Sequence, residues 1–148
     1  MQIRIDPVLR DKKAYLPLLL LADPCEAMID RYLESGDMHL LTEGGKPACV
    51  AVVADLSGSA CELKNLATDE ALQNCGHAGR MLRFLIETYA RTHRCMYVGT
   101  SEQMVPYYER FGFSYSHTEA GFFTRNYPEP IWENGLQCVD MLYLKRDL

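Results

Sequence analysis

A run of small and polar residues, Gln73-Asn74-Cys75-Gly76-His77-Ala78-Gly79-Arg80, joins a strand-like stretch to the most regular helix pattern in the chain. Two glycines and an alanine keep side chains away from the main chain there, so a ligand oxygen can approach it. The first N–H groups of a helix have no partner within it and point outward, and the partial positive charge of the helix start favours an anion. Small residues at a helix start also serve as packing devices, so the flanking elements have to decide between the two roles.

They favour the anion. Met81, Leu82, Leu85, Ile86, Tyr89 and Ala90 recur at the spacing of one helical face, with Arg83, Glu87 and Arg91 on the other. The helix stops at Arg91-Thr92-His93-Arg94, a basic composition suited to its negative end. Cys95-Met96-Tyr97-Val98 then reads as a buried strand ending at Gly99. Upstream, Ser59 to Thr68 also reads as a strand, but its alternation breaks: Cys61 and Leu63 share a parity that Leu66 lacks. A bulge near Lys64 or Asn65 reconciles them, and it would turn a main-chain N–H away from the neighbouring strand. Other glycine-rich signatures are missing, with no Gly-Lys-Ser/Thr ending and no Gly-x-Gly-x-x-Gly followed by an acid.

The stretch Glu62-Leu63-Lys64-Asn65-Leu66-Ala67-Thr68 followed by Gln73-x-x-Gly76-x-Ala78 resembles the acetyl-CoA signature of the GCN5-related N-acetyltransferases (GNAT). Tyr108-Glu109-Arg110-Phe111-Gly112-Phe113 is similar to the Tyr-x-x-x-Gly-Phe stretch that ends the helix after the fifth strand in that family. Two departures stand out: Ser101 lies where Asn is common, and Pro106 precedes the tyrosine pair, so that helix is expected to begin near Val105. The resemblance implies an α+β fold, with a mixed, mostly antiparallel central sheet of about seven strands, flanked by about four helices and splayed between strands 4 and 5. It also implies acetyl-CoA as acyl donor, with no metal.

The implied cofactor contacts are main-chain groups of Asn74, Cys75, Gly76, His77, Ala78, Gly79 and Arg80 on the diphosphate, with Gln73 and Ser101 beside them. Leu66, Ala67 and Thr68 would pair with the pantetheine arm as a strand would. Acyl transfer to an amine needs a base, because a lysine-like amine with a pKa of about 10.4 must lose a proton before attack. It also needs an N–H donor for the oxyanion, placed near Leu66 or Ala67, and an acid for the leaving thiolate. Tyr108 matches the family tyrosine near the thioester sulfur and is the expected acid, the alternative being a packing role. Glu62, on the bulged strand, is the expected base, the alternative being an ion pair. The family borders its acceptor site with the turn between the first two helices and a late loop, which nominates Asp23, Tyr127, Trp132 and Glu133.

The rest of the chain is compatible with one domain over residues 1–148, 48% apolar. Ile3 to Ile5 is expected as a strand, and Lys12 to Leu21 and Glu26 to Ser35 as helices. Met38 to Thr42 and Ala48 to Ala54 should form a hairpin around Gly44-Gly45-Lys46-Pro47. Phe113 to His117 and Cys138 to Leu144 are the last strands, joined by a long loop from Glu119 to Gln137. The aromatics of that loop either line an acceptor pocket or anchor the loop to the core.

Six scattered cysteines without a Cys-x-x-Cys pair read as reduced, and four dispersed histidines give no metal-ligand spacing. A net charge of −5 argues against nonspecific nucleic-acid binding, which requires a basic face. It points instead to a cationic acceptor. No signal peptide or membrane-spanning segment is expected, which suggests a cytoplasmic protein. The leading function is transfer of an acetyl group to a primary amine of a small cationic molecule. A protein lysine or N-terminal acetyltransferase and a nonenzymatic acyl-CoA-binding module are the alternatives, and a homodimer is left open.

Overall fold

Alternating and fully apolar segments sort this chain into a central sheet with helices on both faces. The computed structural model describes residues 2–148. Strand β1 (Ile3–Val8) leads through a 3-10 turn at Lys12–Tyr15 into helices α1 (Leu16–Ala22) and α2 (Glu26–Ile29). Strands β2 (Asp37–Glu43) and β3 (Lys46–Asp55) form a hairpin, and β4 (Ala60–Thr68) follows. Gly44 and Gly45, at φ 57° and 84°, make that hairpin turn. Helix α3 (His77–Tyr89) crosses over to β5 (Cys95–Thr100), then come α4 (Val105–Glu109) and β6 (Ser114–Glu119). Helix α5 (Phe122–Asn126), a ribbon of β7 (Ile131–Glu133) and β8 (Leu136–Cys138), and β9 (Met141–Asp147) complete the fold.

The seven-stranded sheet runs β1-β2-β3-β4-β5-β9-β6, with β4 and β5 parallel and the other pairs antiparallel. Only Ala60 to Leu63 of β4 pair with β5, opposite Cys95 to Val98. Beyond them the strands part, as expected of strands 4 and 5. The cause is local. Val52 faces Asn65 and Val53 faces Leu63, so Lys64 is the extra residue of a bulge.

That bulge swaps the faces of β4. Cys61 and Leu63 join the core under α3, together with Met81, Leu82, Leu85, Met96 and Val98, and Leu66 packs at its border. Ala67 belongs to the opposite core with Leu19, Ile29, Leu33, Val50 and Val52. Both faces of β3 are therefore covered, and its residues from Ala48 to Val53 are all buried.

Several elements depart from expectation, the first helix among them, which is split into the 3-10 turn at Lys12–Tyr15 and α1 at Leu16–Ala22. The second helix ends at Ile29 rather than Ser35, where the chain tightens into turns with Arg31 N to Met28 O and Tyr32 N to Ile29 O both at 3.1 Å; buried Lys12 Nζ closes the end of that segment by donating to Leu33 O (2.8 Å), Glu34 O (3.2 Å) and Gly36 O (2.7 Å). The segment expected as a loop from Glu119 to Gln137 holds α5 and the β7–β8 ribbon, and Phe122, Phe123 and Tyr127 pack against one another there. The last strand correspondingly begins at Met141 rather than Cys138.

Candidate active site

The turn before α3 is built to leave main-chain donors free. Asp69 accepts a 2.9 Å bond from Ala71 N, and Gln73 Nε2 donates 3.2 Å to Thr68 O, tying the loop back to the end of β4. Asn74 at φ 62° and Gly76 at φ 82° turn the chain through left-handed conformations. The first helical bond of α3 runs from Arg80 N to Gly76 O at 3.0 Å. The N–H groups of His77, Ala78 and Gly79 therefore have no acceptor among the described residues, whereas that of Arg80 is already used. The buried His77 ring anchors the helix start to β2 through Glu43 Oε2, 2.9 Å from Nε2.

A cleft of about 1230 Å³ opens at this turn. Leu66 and Thr68 of β4 line it, with Gln73, Asn74, Gly76, His77, Ala78 and Gly79 of the turn. Gly79 faces the segment just after α4 closely enough that a Cβ there would sit 3.3 Å from Phe111 Cζ. The Cys75 and Arg80 side chains are exposed and lie outside the lining, and Ala67 faces the opposite core. Three arginines not singled out from the sequence, Arg83, Arg110 and Arg146, do line it. The spacing of Arg83 after Arg80, one helical turn, was the available signal.

A second cavity, about 350 Å³, lies on the other side of the parted strands. Asp23, Glu62, Tyr127 and Glu133 line it, together with Ser101, which was expected beside the cofactor. Ser101 Oγ instead donates 2.5 Å to Glu133 Oε1, and Gln103 Nε2 holds Glu133 O at 2.8 Å. Trp132 is 62% exposed on the ribbon and does not reach the cavity.

Asp23 is buried, and its carboxylate accepts bonds from Tyr32 Oη (2.8 Å) and Tyr127 Oη (2.7 Å). Asn65, the residue after the bulge, donates to Tyr32 Oη and to Leu19 O, both at 3.1 Å. No basic side chain pairs with Asp23 among the described residues. Burial, followed by the neighbouring carboxylate, pushes the Tyr127 phenol above its ordinary range. Glu62 carries a partner of its own, Lys64 Nζ at 3.1 Å.

The two cavities meet where β4 and β5 separate, and Leu66, Met104 and Tyr108 line both. Tyr108 projects from α4 and is 8% exposed. Burial raises its pKa above the normal tyrosine value, with smaller contributions from Tyr107, Cys49 and Glu133, so the phenol keeps its proton. A long chain threaded through the gap would present its reacting end beside this hydroxyl, open to a molecule arriving from the second cavity.

Comparison with known proteins agrees with this geometry. Residues 34–115 match the family described as the acetyltransferase (GNAT) domain. The chain is 34% identical to the N-acetyltransferase YvbK of Bacillus subtilis (strain 168), over 88% of this chain and 87% of that protein. A GNAT family acetyltransferase from Elizabethkingia anophelis, solved with acetyl-CoA bound, superposes with a TM-score of 0.94 at 34% identity, covering 99% of this chain and 98% of that one. A Bacillus subtilis acetyltransferase in complex with CoA gives a TM-score of 0.90 at 32% identity, covering 99% of each chain. The parted strands and free amides suit acetyl-CoA as acyl donor, and the chain belongs to the GNAT family of acetyl-CoA-dependent N-acetyltransferases.

Proposed function

We propose that residues 1–148 act as one domain that acetylates the primary amine of a small cationic molecule by direct attack on acetyl-CoA. The observation that carries this is the second cavity, about 350 Å³, holding a buried carboxylate without a basic partner. Three acids, Asp23, Glu62 and Glu133, outnumber the bases Arg31 and Lys64 in its lining. A buried anion of this kind gains most from a cationic ligand. The closure of the cavity by α5 and the ribbon favours a compact acceptor over a peptide, and Phe122, Phe123 and Tyr127 supply its apolar wall.

In this reading the amides of His77, Ala78 and Gly79 hold the diphosphate, and the free edge of β4 from Leu66 to Thr68 pairs with the pantetheine arm. Glu62, which also accepts a 3.1 Å contact from Lys64 Nζ, takes the proton from the amine, directly or through water. The amine nitrogen forms a bond to the thioester carbonyl, and the oxyanion is held by a main-chain N–H near Leu66 or Ala67. The C–S bond then breaks, Tyr108 gives its proton to the departing thiolate, and the second proton shed by the amine nitrogen as the amide forms restores the phenol. Burial raises the Tyr108 pKa, so the phenol still holds its proton when the thiolate forms.

A CoA-release assay over a library of amines tests the acceptor class. Turnover of diamines, polyamines or amino-acid derivatives, with none on lysine-bearing or N-terminal peptides, is expected. Preference for peptides would overturn the small-molecule assignment.

A further inference from the structure

Arg83 of α3, Arg110 just after α4 and Arg146 of β9 converge on the cleft from three separate elements. One aromatic pair organises all three. The Arg83 guanidinium lies 5.9 Å from the Phe111 ring centroid and the Arg110 guanidinium 5.2 Å from that of Tyr107, while the two rings are 5.3 Å apart. Arg146 Nε donates 2.7 Å to Phe111 O, and its Nη1 donates 2.6 Å to Asp147 O. None of the three forms an ion pair with a carboxylate among the described residues. Glu87 is the acidic residue in the same lining, which leaves the charged groups of the cleft three to one in favour of positive.

Guanidinium groups stacked on rings and held to carbonyls lose little further freedom on binding, and their planar forks match phosphate oxygens. Acetyl-CoA carries two phosphate features: the diphosphate and a phosphomonoester on the ribose 3′ oxygen. The free amides of His77, Ala78 and Gly79 already serve the first. We propose that Arg83, Arg110 and Arg146 form a subsite for the 3′-phosphomonoester, so that the enzyme distinguishes CoA from dephospho-CoA. This rests on the assignment of the cleft to the donor. It adds a specificity determinant that the helix start alone would not provide, because the amides contact a group common to both molecules.

Calorimetry with CoA and with dephospho-CoA, on the wild type and on Arg83→Ala, Arg110→Ala and Arg146→Ala, tests it. The wild type should bind CoA at least about tenfold more tightly than dephospho-CoA, as expected for charge-assisted pairing. In Arg83→Ala and Arg110→Ala, whose side chains make no main-chain bonds that a fold would miss, this preference should fall toward unity. Equal affinity of the wild type for the two ligands overturns the subsite while leaving the cleft as the donor site. Equal weakening of both ligands in the variants also overturns it, assigning the arginines to the diphosphate. Failure of the wild type to bind either ligand would instead remove the donor assignment itself.

Discussion

Tyr127 Oη donates a 2.7 Å hydrogen bond to Asp23 Oδ1 across 104 residues of sequence. This single bond fastens the segment after α5 to the end of α1 and closes one wall of the smaller cavity. Tyr127→Phe leaves Asp23 with Tyr32 as its remaining phenol donor. A lost bond to a buried charged group costs about 1.5–3 kcal/mol, and the amine KM should rise while that for acetyl-CoA holds. Denaturant unfolding and initial-rate kinetics measure the two effects; an unchanged amine KM would detach Asp23 from acceptor binding.

Tyr108→Phe should lower kcat about a hundredfold or more with acetyl-CoA affinity retained, the usual worth of a general acid. The wild-type phenol, held protonated by burial, should produce no falling limb in the pH–rate profile below the ordinary tyrosine range. Rates that survive the substitution at every pH would reduce Tyr108 to a packing residue between Tyr107 and Phe113.

Gly76→Val should abolish CoA binding yet leave the fold largely intact. A Cβ at Gly76 meets no protein atom within 4 Å, so the cost to the free protein is left-handed backbone strain, about 1–2 kcal/mol. The new side chain would stand in the phosphate turn. Thermal melting with and without CoA separates the outcomes, and a CoA-induced shift equal to the wild type's would contradict the assignment.

His39 gives a pH test of stability away from the active site. Its ring is buried beside Phe84, with Nε2 3.0 Å from Tyr89 Oη, and burial lowers its pKa below 6.5 despite the opposing pull of Asp37. Below pH 6.5 the unfolded chain binds a proton there that the folded chain refuses, so stability falls with acidification until the lowered folded value is reached. His39→Gln should flatten this part of the melting-temperature profile between about pH 8 and 5. A wild-type slope equal to the variant's would contradict the sign.

Patterns carried by near neighbours were legible in the sequence. The parity break between Leu63 and Leu66 narrows the bulge to Lys64 or Asn65, because a period of two makes one extra residue visible, and the strand register places it at Lys64. The apolar face of α3 was equally plain, except that Ala90 is exposed and Ile86 turns to the cleft. Contacts between distant segments were not legible. Lys12 looks like a surface residue until its ammonium is seen closing the turn after α2, and the arginines of the cleft converge only through Phe111 and Tyr107. Trp132 misled because a strand as short as Ile131–Glu133 does not reveal which face meets solvent.

The central claim is that donor and acceptor meet in the gap between β4 and β5, each from its own cavity. A conjugate joining CoA through its sulfur and an acetyl bridge to a small amine tests this by inhibition kinetics. The conjugate should compete with both acetyl-CoA and amine and bind more tightly than CoA alone, and initial-velocity lines for the two substrates should intersect. Parallel lines, or a conjugate no tighter than CoA and blind to the amine, would contradict it.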